Sequence, residues 1–127
     1  MASLWALRQF GSVVQDFCDT AEPLLWEAME DRLLLLMELG NRAKMPVSES
    51  IADSDGILAL RANADNLQGR LLYFFGPERK QITFVHAVEL KKTRKIPRSD
   101  IEIAERNKKL VLADWSLSHA FGVNRTH

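Results

Sequence analysis

The stretch from Ile57 to Glu89 constrains the fold more than any other. It holds three apolar runs, 57–62, 69–76 and 81–89, each bounded by turn-forming residues. Runs of that length, rich in leucine, β-branched and aromatic side chains, read as strands. Gly76-Pro77-Glu78-Arg79-Lys80 supplies the turn between the second and third. The three are predicted to form an antiparallel meander.

Helices are predicted on either side of it. Residues 12–18 read as a short helix and Thr20 as the N-cap of a longer one, with Glu22 and Pro23 in its first turn and Gly40-Asn41 as its stop. Leu25, Met29, Leu33, Leu36 and Met37 recur at three- and four-residue spacing, so one face packs inward while Glu27, Glu30, Asp31 and Glu38 face water. Residues 43–56, with Pro46, Ser48, Ser50 and Asp53-Ser54-Asp55-Gly56, read as a connecting loop. After a break at Pro97, residues 98–112 resume helical periodicity through Ile101, Ala104 and Val111, extended by the alkyl stem of Lys108, with Ser99 as N-cap. Residues 3–10 read as a first strand, with a helical start as the alternative. The expected fold is α+β, with N-terminal helices packed on an antiparallel strand meander and a C-terminal helix. A single domain spans 1–112. The tail 113–127 lies outside it, with Trp115, Leu117 and Phe121 covering a core edge and Gly122 to His127 disordered.

The net charge of zero conceals an asymmetry. Residues 1–60 carry ten acidic side chains against four basic, a net of −6 that repels a phosphate backbone, whereas residues 61–109 carry twelve basic against six acidic, a net of +6. Five of those cations, Lys91, Lys92, Arg94, Lys95 and Arg98, fall within eight residues, a density suited to a loop tracking phosphates and placed just before a helix N-terminus. The longest apolar runs fall far below the ~20 residues that a bilayer span needs. No apolar leader is visible, and one cysteine, Cys18, forms neither an internal disulfide nor a thiolate cluster and is expected to be a buried spectator. The expected compartment is the cytoplasm.

Four segments then stand in order: Asp55-Gly56-Ile57-Leu58-Ala59-Leu60-Arg61, Gly69-Arg70-Leu71-Leu72-Tyr73-Phe74, Lys91-Lys92-Thr93-Arg94-Lys95-Ile96-Pro97 and Ile101-Glu102-Ile103-Ala104. Together they resemble the phage-derived, HigB-like branch of the RelE/ParE toxin superfamily over about 55–110. The chain departs from that pattern at Ala59, where the family usually has an acid, and at Glu89, where it usually has an aromatic residue. The resemblance implies a RelE-like fold. It also implies the toxin of a type II toxin–antitoxin system, a ribosome-dependent mRNA endonuclease neutralised by a helix-turn-helix antitoxin and needing no cofactor.

Cleaving RNA through its 2′-hydroxyl requires a proton acceptor, a protonated leaving oxygen and cations around the phosphorane-like state. Arg61 and Arg70, ending and beginning neighbouring strands, are candidates for the last task, with Lys92 beside them. The bland alternative for both arginines is a surface ion pair with the acidic helix. Lys91, Lys92, Arg94, Lys95 and Arg98 are the candidate RNA-binding residues. His86 is a candidate acid or base, but strand alternation puts it with Ile82 and Phe84, where a packing role is as natural. Tyr73, three residues after Arg70, is a candidate for stacking or proton transfer and also a natural core residue. His119 and His127 have no partner at metal-ligand spacing, and no metal site is expected. Two other readings remain: a non-catalytic phage or host interaction protein with the same fold, and a ParE-like gyrase poison.

Overall fold

A computed structural model describes residues 3–92 and 94–123. A six-stranded sheet is ordered β2-β3-β4-β5-β1-β6 and is covered by helices on both faces. In chain order the elements are β1 (Ala6–Phe10), α1 (Val13–Thr20), α2 (Pro23–Leu39), β2 (Ser48–Ser50), β3 (Leu58–Ala64), β4 (Leu67–Phe75), β5 (Gln81–Lys91), α3 (Arg98–Ala113) and β6 (Ser118–Ala120). No helix among the described residues is long and apolar enough to cross a membrane.

The predicted meander is present as β3-β4-β5, each strand antiparallel to the next. Its ends differ from expectation. β1 is a strand but runs parallel to β5, pairing Leu7 with Ile82 and Gln9 with Phe84, so the sheet is mixed. The tail set outside the domain supplies β6, which runs antiparallel to β1 with Ser118 opposite Phe10. Beyond it Phe121 packs its ring 5.9 Å from that of Phe84 and Val123 lies against the same core, while Trp115 and Leu117 remain partly exposed. The remainder of the segment expected to be disordered, 124–127, lies outside the described residues. The polar loop also yields a strand: β2 pairs Glu49 with Ala59 at the sheet edge.

α2 follows its apolar spacing. Leu25, Met29, Leu33 and Leu36 are fully buried against Leu60, Leu71, Tyr73 and Phe84, and each such burial stabilises by roughly 2 kcal/mol. The helix begins later than predicted: Glu22 is its N-cap and Pro23 its first residue, whereas Thr20 closes α1 with its hydroxyl donating to the Asp16 carbonyl at 2.8 Å. Gly40 stops it at φ 53°, and a Cβ there would fall inside the Trp5 indole. Gly69 of β4 is constrained less severely: a Cβ would lie 3.0 Å from Phe17 and 3.1 Å from Met29, so the absent side chain lets α1 and α2 close on the sheet. Cys18 is only partly buried.

α3 covers the opposite face. Ala104 and Val111 pack with Ile57, Ala59, Leu72, Phe74 and Val85. Asn107, at the centre of that stripe, donates from its side chain to the Val85 carbonyl at 2.8 Å. The Lys108 stem runs beside it, its ammonium 5.6 Å from the Phe74 ring centroid and 2.7 Å from the Asp55 carbonyl it donates to. The cap is Pro97, and Ser99 falls inside the first turn.

Candidate nucleic-acid interface

Alternation along β3 and β4 places Arg61 and Asn63 on the same face as Gln68 and Arg70, and the register sets Arg61 opposite Arg70 and Asn63 opposite Gln68. Like charges directly across a strand pair are unfavourable. Here Arg61 is offset by Glu49, whose carboxylate lies 3.5 Å from its Nε, while its Nη1 donates to the Met45 sulfur at 3.0 Å. Arg61 Nε is buried without a hydrogen bond among the described residues.

Arg70 is only 3% exposed. Its Nη1 donates to the carbonyls of Gly69 at 2.7 Å and Ala62 at 3.2 Å and to Asn63 Oδ1 at 3.1 Å, and its Nη2 donates to Gln68 Oε1 at 2.5 Å. Those partners are all neutral, so the alternative reading of Arg70, a surface ion pair with the acidic helix, finds no such pair among the described residues. Burial, and then the neighbouring Arg61, push its pKa down to about 10, against a smaller upward pull from Glu49. The guanidinium therefore keeps its charge at neutral pH in a place where that charge is costly. An anion entering above it would relieve the cost.

Gln68 links this arginine to the basic loop. Its Nε2 donates to the carbonyls of Lys91 at 3.0 Å and Arg94 at 3.3 Å, and to that of Lys92. The Lys92 amide donates to the Asn66 carbonyl at 2.7 Å. With the backbone held from within, the side chains of Lys91, Lys92, Arg94 and Lys95 point into water. A cleft of about 470 Å³ results, lined by Arg61, Arg70, Gln68, Arg94 and Lys95 with Glu49 to Ala52 along one side and Ile96 and Ile101 along another. If this loop tracks RNA, changing Lys91 and Lys92 together to Ala should lower the slope of log affinity against log salt by about 1.4, at ~0.7 per phosphate contact with a single strand. Filter-binding titrations over a salt series measure it, and an unchanged slope would place the phosphates elsewhere.

The other candidates do not join the cleft, and Lys91 and Lys92 also stand outside its lining. Arg98 turns away, donating to the Asp53 carbonyl at 3.0 Å and pairing with Glu105 at 3.5 Å, and so braces the 51–57 loop on α3. Tyr73 is fully buried on the α2 face, with the sheet between it and the arginines. Its hydroxyl is 2.5 Å from Ser48 Oγ, and burial raises its pKa, so it remains a neutral phenol in the core. His86 differs from its predicted packing. A β-bulge shifts the register so that Leu72 opposes His86 and Tyr73 opposes Phe84, which leaves Val85 as the extra residue and turns His86 away from Ile82 and Phe84. Its Nε2 lies 2.7 Å from Asp100 Oδ1 in the first turn of α3, beside a separate groove lined by Asp16, Thr20 and Glu89. Glu89 accepts a 3.4 Å bond from the Glu22 amide there.

Two cleft residues escaped the sequence reading. Gln68 is two positions before Arg70 and so on its face, which strand alternation reveals once β4 is begun at Leu67 rather than Gly69. Glu49 carried no local signal, because its strand has three residues in a serine-rich segment and exists only by pairing with β3.

The fold and the cleft define a small α+β protein with a cationic recess built across two strands and capped by a basic loop. The chain belongs to the family of phage-derived Gp49-like proteins (DUF891), whose model matches residues 19–109, from the end of α1 through most of α3. That is a RelE/toxin-like family, and the match holds every residue of the cleft while leaving out β1 and β6. No curated protein matches the chain.

Proposed function

We propose that the protein is the toxin of a type II toxin–antitoxin pair, of the HigB-like kind, and that it cleaves mRNA on the ribosome in the cytoplasm. The observation that carries the reading is Arg70, a buried cation whose hydrogen bonds among the described residues all go to neutral groups and which faces Arg61 at the floor of a cleft rimmed by Arg94 and Lys95. Four positive charges lining one recess suit the doubly charged phosphorane-like state of 2′-hydroxyl attack more than a singly charged phosphodiester, and that difference lowers a barrier. The exposed loop cations would hold the flanking backbone without reading bases. The natural antagonist is a helix-turn-helix antitoxin whose acidic or helical segment covers the basic cleft.

The test is induced expression of the intact chain in a bacterial host, followed by primer extension on cellular transcripts. Growth should stop and new 5′ ends should appear within translated regions. Co-expression of a helix-turn-helix protein encoded beside it should abolish both. Growth arrest with whole transcripts and DNA damage would favour a gyrase poison instead. Normal growth with whole transcripts would leave a non-catalytic binding protein.

A further inference from the structure

The sequence alone offers cations for RNA cleavage but no convincing proton acceptor, and the two candidates it suggests, His86 and Tyr73, both sit away from the cleft. The cleft wall contains a single carboxylate among the described residues, Glu49. β2 aligns Glu49 directly across from Ala59, so it projects from the face that carries Arg61 and Arg70. Its side chain is 35% exposed, open enough to meet a ligand, and Arg61 at 3.5 Å fixes its direction. The charged groups facing it are Arg61 from β3, Arg70 from β4, and Arg94 and Lys95 from the loop, while α3 contributes only the apolar Ile101 to this lining. This lone carboxylate of the described cleft wall stands beside the point where those cations would hold a phosphate.

We propose that Glu49 is the general base of the cleft and takes the proton from the attacking 2′-hydroxyl. The inference rests on reading the protein as a ribonuclease. As the 2′ oxygen bonds to phosphorus, its proton passes to a Glu49 carboxylate oxygen. The bond from phosphorus to the 5′ oxygen breaks with its electron pair on that oxygen, which takes a proton from water. The products are a 2′,3′-cyclic phosphate and a 5′-hydroxyl, and the hydroxide left behind restores the Glu49 carboxylate. Arg61 orients the base, and Arg70 faces the phosphoryl oxygens.

The experiment is single-turnover cleavage of a defined message on programmed ribosomes by the intact protein. Glu49→Gln keeps the shape and cannot accept the proton, so the rate should fall about 100-fold, within the range for a general base, with ribosome affinity retained. Glu49→Ala should lose as much and regain rate in proportion to added formate or acetate, small carboxylates that fit the space left. Retention of the parent rate by Glu49→Gln would overturn the proposal. So would an Ala variant that formate fails to restore, or one restored equally by carboxylates of different basicity, since a group that merely holds Arg61 need not accept a proton. If the parent protein leaves the message whole, the ribonuclease reading falls, and this inference with it. That outcome is distinct from a parent that cuts and a variant that cuts as well.

Discussion

Arg70→Ala is expected to reduce mRNA cleavage about 1000-fold, the upper end for losing a preorganised donor at developing charge, and to abolish growth arrest. The stability of the fold should not follow. Arg70 is charged, 3% exposed and bonded to neutral acceptors, with the Glu49 carboxylate offsetting less than its burial costs, and a buried cation so placed contributes little net stability. The pH linkage agrees in sign. Since the folded-state pKa is lowered from the ordinary arginine value to about 10, the folded protein releases this proton before the unfolded chain does. The group therefore favours folding more as pH climbs through that window, and below it both states hold the proton and the folded one bears the whole desolvation cost. Arg70→Met, which fills the site with an apolar chain, should accordingly unfold in urea within about 1 kcal/mol of the parent or above it, while cutting no better than the Ala variant. Arg70→Lys keeps the charge but offers three donors where the arginine serves four acceptors, so it should recover little of the rate. A variant lacking Arg70 that arrests growth fully would remove the cleft from the mechanism. A fall of several kcal/mol on Arg70→Met would make Arg70 a structural residue instead.

The same arginine shows why the site was partly legible. Arg61 and Arg70 lie in strands whose alternation is written in local sequence, and an antiparallel pairing of those strands brings the two together without further information. The basic loop was legible from charge density, and α2 from the spacing of Leu25, Met29, Leu33 and Leu36. What escaped depends on partners remote in sequence. β1 reads ambiguously because its five residues mix apolar and polar side chains, and its parallel partner β5 lies more than 70 positions away. β6 has three residues and is defined by its pairing with β1. The bulge at Val85 arises from a mismatch between β4 and β5 that neither strand announces alone, and it alone moves His86 from the Phe84 side to Asp100. Ala59, a departure from the family pattern, turns out to sit fully buried under α3, across from the glutamate that brings a carboxylate into the cleft from the neighbouring strand.

Gln68 should prove nearly as consequential as Arg70, for a different reason. Its amide oxygen accepts from Arg70 and its amide nitrogen donates to the carbonyls of Lys91, Lys92 and Arg94, so one side chain sets both the floor and the rim. Gln68→Glu separates the two duties. The carboxylate still accepts from Arg70, more strongly as an anion, but it has no hydrogen to offer the loop carbonyls and repels them. Cleavage should fall about 100-fold, the scale expected when catalytic groups shift by an ångström. The Lys92 amide, which donates to the Asn66 carbonyl at the root of the loop, should exchange its hydrogen faster. Gln68→Leu removes both duties and should cut no better than Gln68→Glu. If Gln68→Glu exchanges faster at Lys92 yet cleaves at the parent rate, the loop cations act without a fixed position, and phosphate attraction alone accounts for them. If exchange is unchanged and cleavage still falls, the damage comes from neutralising Arg70, and the anchoring of the loop is the weaker half of the design.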